Sequence, residues 1–84
     1  MKVTLKLFAT LSDYLPPEAK RTNSLDLEVD EGTTPQQLID RFRLPAKMCH
    51  LVLVNGHFVP PAARATRSLG AGETLAIWPP VAGG

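Results

Sequence analysis

Leu51-Val52-Leu53-Val54-Asn55-Gly56-His57-Phe58-Val59 sets an Asn-Gly pair between two apolar runs. Asn-Gly accepts the two positive φ angles of a type I′ turn, whose twist matches that of paired strands. The stretch therefore reads as a β-hairpin, and Pro60-Pro61 ends its return strand because proline donates nothing to a ladder. Pairing across the turn puts Phe58 near Leu53 and away from Val52 and Val54.

Working outward, Lys2 to Phe8 alternates, with Val3, Leu5 and Leu7 on one side and Lys2, Thr4, Lys6 and Phe8 on the other. That period marks a half-buried strand. Ser24 to Asp30 alternates again, with Leu25, Leu27 and Val29 inward, until Glu31-Gly32 ends it. The residues between read as a long polar connection, broken by Pro16-Pro17 and carrying Lys20-Arg21. Thr34-Pro35-Gln36-Gln37 is a helix start: Thr34 caps, Pro35 sits where its missing N–H costs nothing, and Gln37 completes a capping box. Leu38, Ile39 and Phe42 share the apolar face, and the predicted stop is Arg43 or Leu44, before Pro45. Arg41 and Arg43 then fall in the last turn, where the helix dipole favours positive charge. So short a helix does not hold alone in water, so it lies across the sheet. Downstream, Ala62 to Ser68 is a short helical turn, Gly70 to Glu73 a turn, and Thr74 to Trp78 the last strand. The order ββαβ(β)β predicts an α+β fold, a mixed sheet of four to five strands packed on one short helix.

The 84 residues read as a single domain, 1–84, without repeat or linker, and the 44% hydrophobic content supplies one modest core. The longest apolar run, Leu51 to Val54, is far too short to span a bilayer. Lys6 and Asp13 break the pattern of a signal peptide, so the expected location is cytoplasmic, away from membranes. A single cysteine, Cys49, excludes an internal disulfide framework and a four-thiolate iron–sulfur cluster. Net charge of +1 offers no basic field for duplex nucleic acid. Partners are then selected by shape and apolar contact, or by a local charged patch.

Cys49 beside His50 invites a nucleophile–base reading, but adjacent strand residues point to opposite faces. A buried or semi-buried free thiol is the expectation, with a sulfur-relay role as the alternative. His50 and His57 show no metal spacing, and Asp26, Glu28 and Asp30 read as a solvated face. Gly70-Ala71-Gly72 lacks the lysine and following helix of a phosphate loop. If Leu75 and Ile77 point inward, Trp78 points out, and parity sends Phe8 and Phe58 outward too. Three outward aromatics make an apolar patch that small monomers avoid unless it binds something. The competing reading folds Pro60 to Leu69 over them as core.

Behind the last strand comes Pro79-Pro80-Val81-Ala82-Gly83-Gly84, residues 79–84, read as a protruding tail. The prolines remove two donors, so strand pairing ends near Trp78. Without Cβ atoms, Gly83 and Gly84 let backbone enter a narrow channel. One reading is a frayed end; the other is a segment threaded into another protein's active site.

The tail, the Gly72-Glu73-Thr74-Leu75 turn and strand, and Leu53-Val54-Asn55-Gly56 together resemble the MoaD/ThiS family of sulfur carriers across essentially the whole chain. The fold so implied is the β-grasp (ubiquitin-like) one. Pro-Pro-Val-x-Gly-Gly is similar to the small subunit of molybdopterin synthase, whereas the short helix and the Pro60 to Leu69 insertion are closer to the thiamine-type pattern. The resemblance implies that an E1-like adenylyltransferase adenylates the Gly84 carboxylate with ATP and that persulfide sulfur displaces AMP, leaving a thiocarboxylate. Gly83 supplies slack at that site. It implies a carrier rather than an enzyme, with no bound cofactor, although it would count as one subunit of a synthase. Phe58, Trp78, Phe8, Pro79, Pro80, Val81 and Ala82 would meet partners: the activating enzyme, and a molybdopterin synthase large subunit or another sulfur acceptor. In the molybdopterin-synthase pattern, positions matching Phe58 and Trp78 contact the partner. Thiamine, tRNA thiolation and cysteine synthesis are other destinations. A ubiquitin-like modifier joined to lysines through Gly84, or a plain interaction module, are readings of other classes.

Overall fold

In the computed structural model, which describes residues 1–80, the alternating stretches become strands. Among these residues β1 (Lys2–Leu7), β2 (Ser24–Glu28), β3 (Leu51–Val54), β4 (His57–Phe58) and β5 (Thr74–Trp78) form one sheet in the order β2-β1-β5-β3-β4. β1 and β5 run parallel at its centre, and the other neighbours are antiparallel. A parallel pair needs a long crossover, and everything from residue 8 to residue 73 provides it, including helix α2 (Pro35–Arg41). The inward residues fall as the alternation predicts. Val3, Leu5, Leu7, Val52, Val54, Leu75 and Ile77 are buried and share one cluster with Leu38 and Ile39 of α2.

The capping box forms: the Gln37 amide donates to Thr34 Oγ1 at 3.3 Å, and the Thr34 amide donates to Gln37 Oε1 at 3.0 Å. The helix ends earlier than the proline predicts. Arg43 takes a left-handed φ of 57°, its amide donates to the Asp40 carbonyl, and the Leu44 amide donates to the Ile39 carbonyl at 3.0 Å. That is a Schellman close, made here without glycine and sealed by buried Leu44 beyond it. The turnover at Arg43, not Pro45, stops the helix.

The connection between β1 and β2 corrects the reading of it as merely polar. It coils into a 3₁₀ turn, Ala9–Tyr14, and a helical turn α1 (Pro17–Lys20), and it buries Leu11, Leu15 and Ala19. Leu11 lies in the 3₁₀ turn, Leu15 is the extended residue that follows it and Ala19 lies in α1, so two short turns and the joint between them add one layer to the core. In the hairpin, Asn55 and Gly56 have φ of 49° and 83°, as a type I′ turn requires. Asn55 also exchanges bonds with Thr74: its amide donates to the Thr74 carbonyl, and its Oδ1 accepts from the Thr74 amide at 2.8 Å. The turn is thereby fixed to the start of β5. Within the Ala62 to Ser68 stretch the helical turn is a 3₁₀ one, begun earlier, at Pro61–Ala63. No helix among the described residues is long and apolar enough to cross a membrane.

Candidate functional site

The site is the outer face of the sheet where β5 leaves it. Parallel pairing of Leu7 with Ile77 brings Phe8 alongside Trp78, and the Phe8 amide donates to the Ile77 carbonyl at 3.2 Å. The two rings stack with centroids 4.1 Å apart and planes 6° from parallel. On the other flank Leu51 pairs with Trp78. One rung along, Lys6, Ala76, Leu53 and Phe58 line up across four strands. Since Val52, Val54, Leu75 and Ile77 point into the core, their neighbours Leu51, Leu53, Ala76 and Trp78 point outward. An apolar strip thus crosses the face, with Phe58 54% exposed and Phe8, Leu53 and Trp78 half-buried.

The three predicted aromatics do not form one cluster. Phe8 and Trp78 touch, while Phe58 stands two strands away, linked to them through Leu53 and Leu51. Nor does the Pro60 to Leu69 segment bury Phe58. Its inward residues Ala63 and Leu69 pack with Val59 before it into the core, the Leu69 amide donates to the Thr33 carbonyl, and the Gln36 amide donates to the Arg64 carbonyl. The segment is spent on the helix side. β5 ends at Trp78; Pro79 is half-buried and Pro80 exposed. The predictions on Val81, Ala82, Gly83 and Gly84 lie outside the described residues.

Polar groups frame the strip. Asp26 accepts from Thr4 Oγ1 at 2.9 Å and pairs with Lys2 at 3.4 Å, and these two, the Thr4 bond first, hold its carboxyl below the ordinary value. Asp26, Glu28 and Asp30 are exposed, a solvated face. Cys49 is 5% exposed, its thiol donates to the Pro45 carbonyl at 3.5 Å, and burial raises its pKa. It follows a 3₁₀ turn, Ala46–Met48, rather than lying on a strand, and His50 beside it is exposed. A buried, protonated thiol is a packing group, not a nucleophile. Among the described residues no group of three His, Cys, Asp or Glu could hold a metal ion.

Sequence reasoning missed two contributors. Leu51 was recoverable, because the parity that sends Val52 and Val54 inward sends Leu51 outward. Arg64 was not: a lone arginine in Pro60-Pro61-Ala62-Ala63-Arg64-Ala65 carries no local sign of burial. Yet it is 7% exposed, with Nε on the Val59 carbonyl at 3.1 Å, Nη1 on that of Cys49 at 2.8 Å and Nη2 on that of His50 at 3.3 Å.

A model of the ThiS family matches residues 5–84. No curated protein matches the chain. Among solved structures, the solution structure of the Haloferax volcanii HVO 2177 protein is 25% identical over 100% of this chain and 87% of that one, with a TM-score of 0.74. Small archaeal modifier protein 1 from H. volcanii is 23% identical over 95% of this chain and 98% of its own, with a TM-score of 0.63. A complex of subunits 1 and 2 of molybdopterin-converting factor from Helicobacter pylori gives 15% identity, full coverage of both chains and a TM-score of 0.61. The fold is the ubiquitin-like β-grasp these neighbours share.

Proposed function

The chain belongs to the ThiS family, and from that premise we propose that it is a sulfur carrier whose Gly84 is its working site. The observation that carries this reading is the extent of the family match, which runs through Gly83 and Gly84 to residue 84. An E1-like enzyme joins the Gly84 carboxylate to AMP from ATP, releasing pyrophosphate. The terminal sulfur of a persulfide displaces AMP, and a thiol then cleaves the acyl disulfide to free the thiocarboxylate. No group of this chain performs those steps; it contributes a substrate carboxylate and a docking face. The apolar strip at the end of β5 supports that division, since it stands where an enzyme acting on the tail would sit. Gly83 gives slack, and Phe8, Phe58, Trp78 and Pro79 to Ala82 are the proposed contacts. The carrier works in the cytoplasm without a resident cofactor, ATP being the activating enzyme's substrate.

Molybdopterin synthesis is the favoured destination, with a synthase large subunit as acceptor. Pro79-Pro80-Val81-Ala82-Gly83-Gly84 supports it, as does the fold shared with subunit 1 of a molybdopterin-converting factor held in complex with subunit 2. Thiamine, tRNA thiolation and cysteine synthesis are the rival destinations. A second reading, conjugation through Gly84 to lysines, is favoured by the likeness to small archaeal modifier protein 1.

Intact-mass spectrometry of the protein from its own host tests both. A species heavier by the difference between sulfur and oxygen, lost on deleting Gly84 with the fold intact, is the expected result. Branched Gly-Gly remnants on lysines would establish the modifier instead. Neither species, with an E1-like enzyme and ATP supplied, leaves a plain interaction module and overturns the proposal.

A further inference from the structure

We propose that Arg64 is a positioning residue that sets the root of the C-terminal tail, and with it the Phe8–Trp78–Leu51 end of the apolar strip. The docking half of this inference rests on the carrier reading above.

Arg64 is more than nine-tenths buried, and no carboxylate pairs with it among the described residues. A buried charge without a counter-charge is costly, and charge-assisted bonds from a planar fork are what offset it. Here every acceptor is a backbone carbonyl, and the carbonyls come from two separate segments. Val59 follows β4, on the way out of the hairpin; Cys49 and His50 precede β3, on the way in. The guanidinium therefore clasps the open end of the hairpin, opposite the Asn55-Gly56 turn. The third tie is the backbone of Arg64, whose carbonyl accepts from the Gln36 amide at 2.8 Å in the first turn of α2.

The clasp reaches β5 through one residue. His50 accepts from Arg64 Nη2 at 3.3 Å, and its own amide donates to the Trp78 carbonyl at 3.1 Å. Trp78 is the last residue of β5, it pairs with Leu51, and it stacks on Phe8. Residues 49 and 50 lie outside any strand, so regular ladder bonds do not fix where the His50 amide stands. Arg64 does. Together with the ladder pairing of Trp78 with Leu51, that placement sets the direction in which the chain leaves Trp78 for Pro79-Pro80 and the stance of the Trp78 ring. A methionine of similar length would fill the space and hold none of the three carbonyls.

The test compares Arg64→Met and Arg64→Lys with the wild type in three measurements on the full chain. Amide exchange is expected to accelerate at least about tenfold more at His50 than at Leu5 and Leu75, which report global opening. The Trp78 and Phe8 ring resonances are expected to shift relative to the wild type. With the host's E1-like enzyme and ATP, pyrophosphate exchange should show KM for the carrier raised about tenfold and kcat within about twofold, the pattern of lost docking. Arg64→Lys, which keeps the charge but has no fork, should fall between the two, and it carries the test if Arg64→Met does not fold. Exchange that accelerates equally at all amides, or an unchanged KM, overturns the proposal. Wild-type chain that is never adenylated overturns the carrier reading and the docking role together, while the exchange pattern still decides whether Arg64 holds the root.

Discussion

Phe58→Ala separates a docking face from a core. Phe58 sits on the two-residue edge strand β4, opposite Leu53, and is 54% exposed, so less than half of its surface is withdrawn from water. Fully burying such a side chain contributes about 1.5–3 kcal/mol, and a cross-strand pair about 0.2–1 kcal/mol relative to alanine. The substitution should therefore lower stability by about 1 kcal/mol. With a urea slope of about 1 kcal/mol/M for a domain this small, the midpoint falls by about 1 M. At a partner interface the same ring is an anchor, and anchors cost about 2 kcal/mol or more on truncation, a weakening of about 30-fold. Urea unfolding followed by circular dichroism, and titration against the purified activating enzyme, read the two effects separately. Val59→Ala is the control: the adjacent residue is buried on the inner face, so it should lose about 2 kcal/mol of stability and keep its affinity. Trp78→Ala discriminates less well, because the Phe8 stack adds about 0.5–1.5 kcal/mol to its folding role. A loss of about 3 kcal/mol in stability at Phe58→Ala with affinity unchanged would refute the assignment of this face to docking.

Leu11→Ala tests the core role of the β1–β2 connection: Leu11 is fully buried, so a loss of about 3 kcal/mol is expected from urea unfolding, and a near-neutral result would return the connection to the surface. Arg43→Gly should stabilise by about 0.5–1 kcal/mol, the relief of a left-handed non-glycine residue less a favourable dipole charge; a lower melting temperature would contradict the Schellman assignment. Glu73 accepts from both ends of the Arg67 fork and from the Gly70 amide, and these bonds, Arg67 first, depress its pKa against a smaller opposing effect of burial. A depressed carboxylate contributes stability above its unfolded pKa of about 4.3 and loses it as pH falls through the folded value. The stability gap between wild type and Glu73→Gln should accordingly be present at neutral pH and close in acid, below about pH 4. A gap that persists undiminished at pH 3 would show that Glu73 acts other than as a carboxylate.

Local chemistry made most of the fold readable. Alternation in β1 and β5, the Asn55-Gly56 turn and the Thr34–Gln37 box each involve neighbours in sequence, and each forms where expected. Outward Trp78, Phe8 and Phe58 followed from the same parity. What escaped depends on where a segment lands. Leu11, Leu15 and Ala19 fall in two short turns joined by extended Leu15-Pro16, so no single period marks them and the prolines and charges around them read as loop. Arg64 is buried only because the chain on either side of β3 and β4 presents carbonyls to it. Arg43 turns left-handed because Leu44 gains burial by it, an advantage invisible until the sheet is present.

The strand that leads to the tail is one of the two central strands of the sheet, a placement that suits the proposed carrier role. β5 lies between β1 and β3, bonded on both sides, and its Leu75 and Ile77 are fully buried. A partner that draws on residues beyond Trp78 transmits force to β5. An edge strand such as β4 would peel one ladder at a time, but β5 can move only by breaking two ladders and uncovering two core side chains. At about 1.5–3 kcal/mol per side chain, before any hydrogen bond is counted, that approaches the whole stability of a small domain. On the proposed carrier role, the sheet therefore stays closed while a partner works on the residues beyond β5. Parallel pairing with β1 adds the second half of the design: only a parallel neighbour finishes at the same end as β5, and so brings Phe8 beside Trp78 at the point where the chain departs.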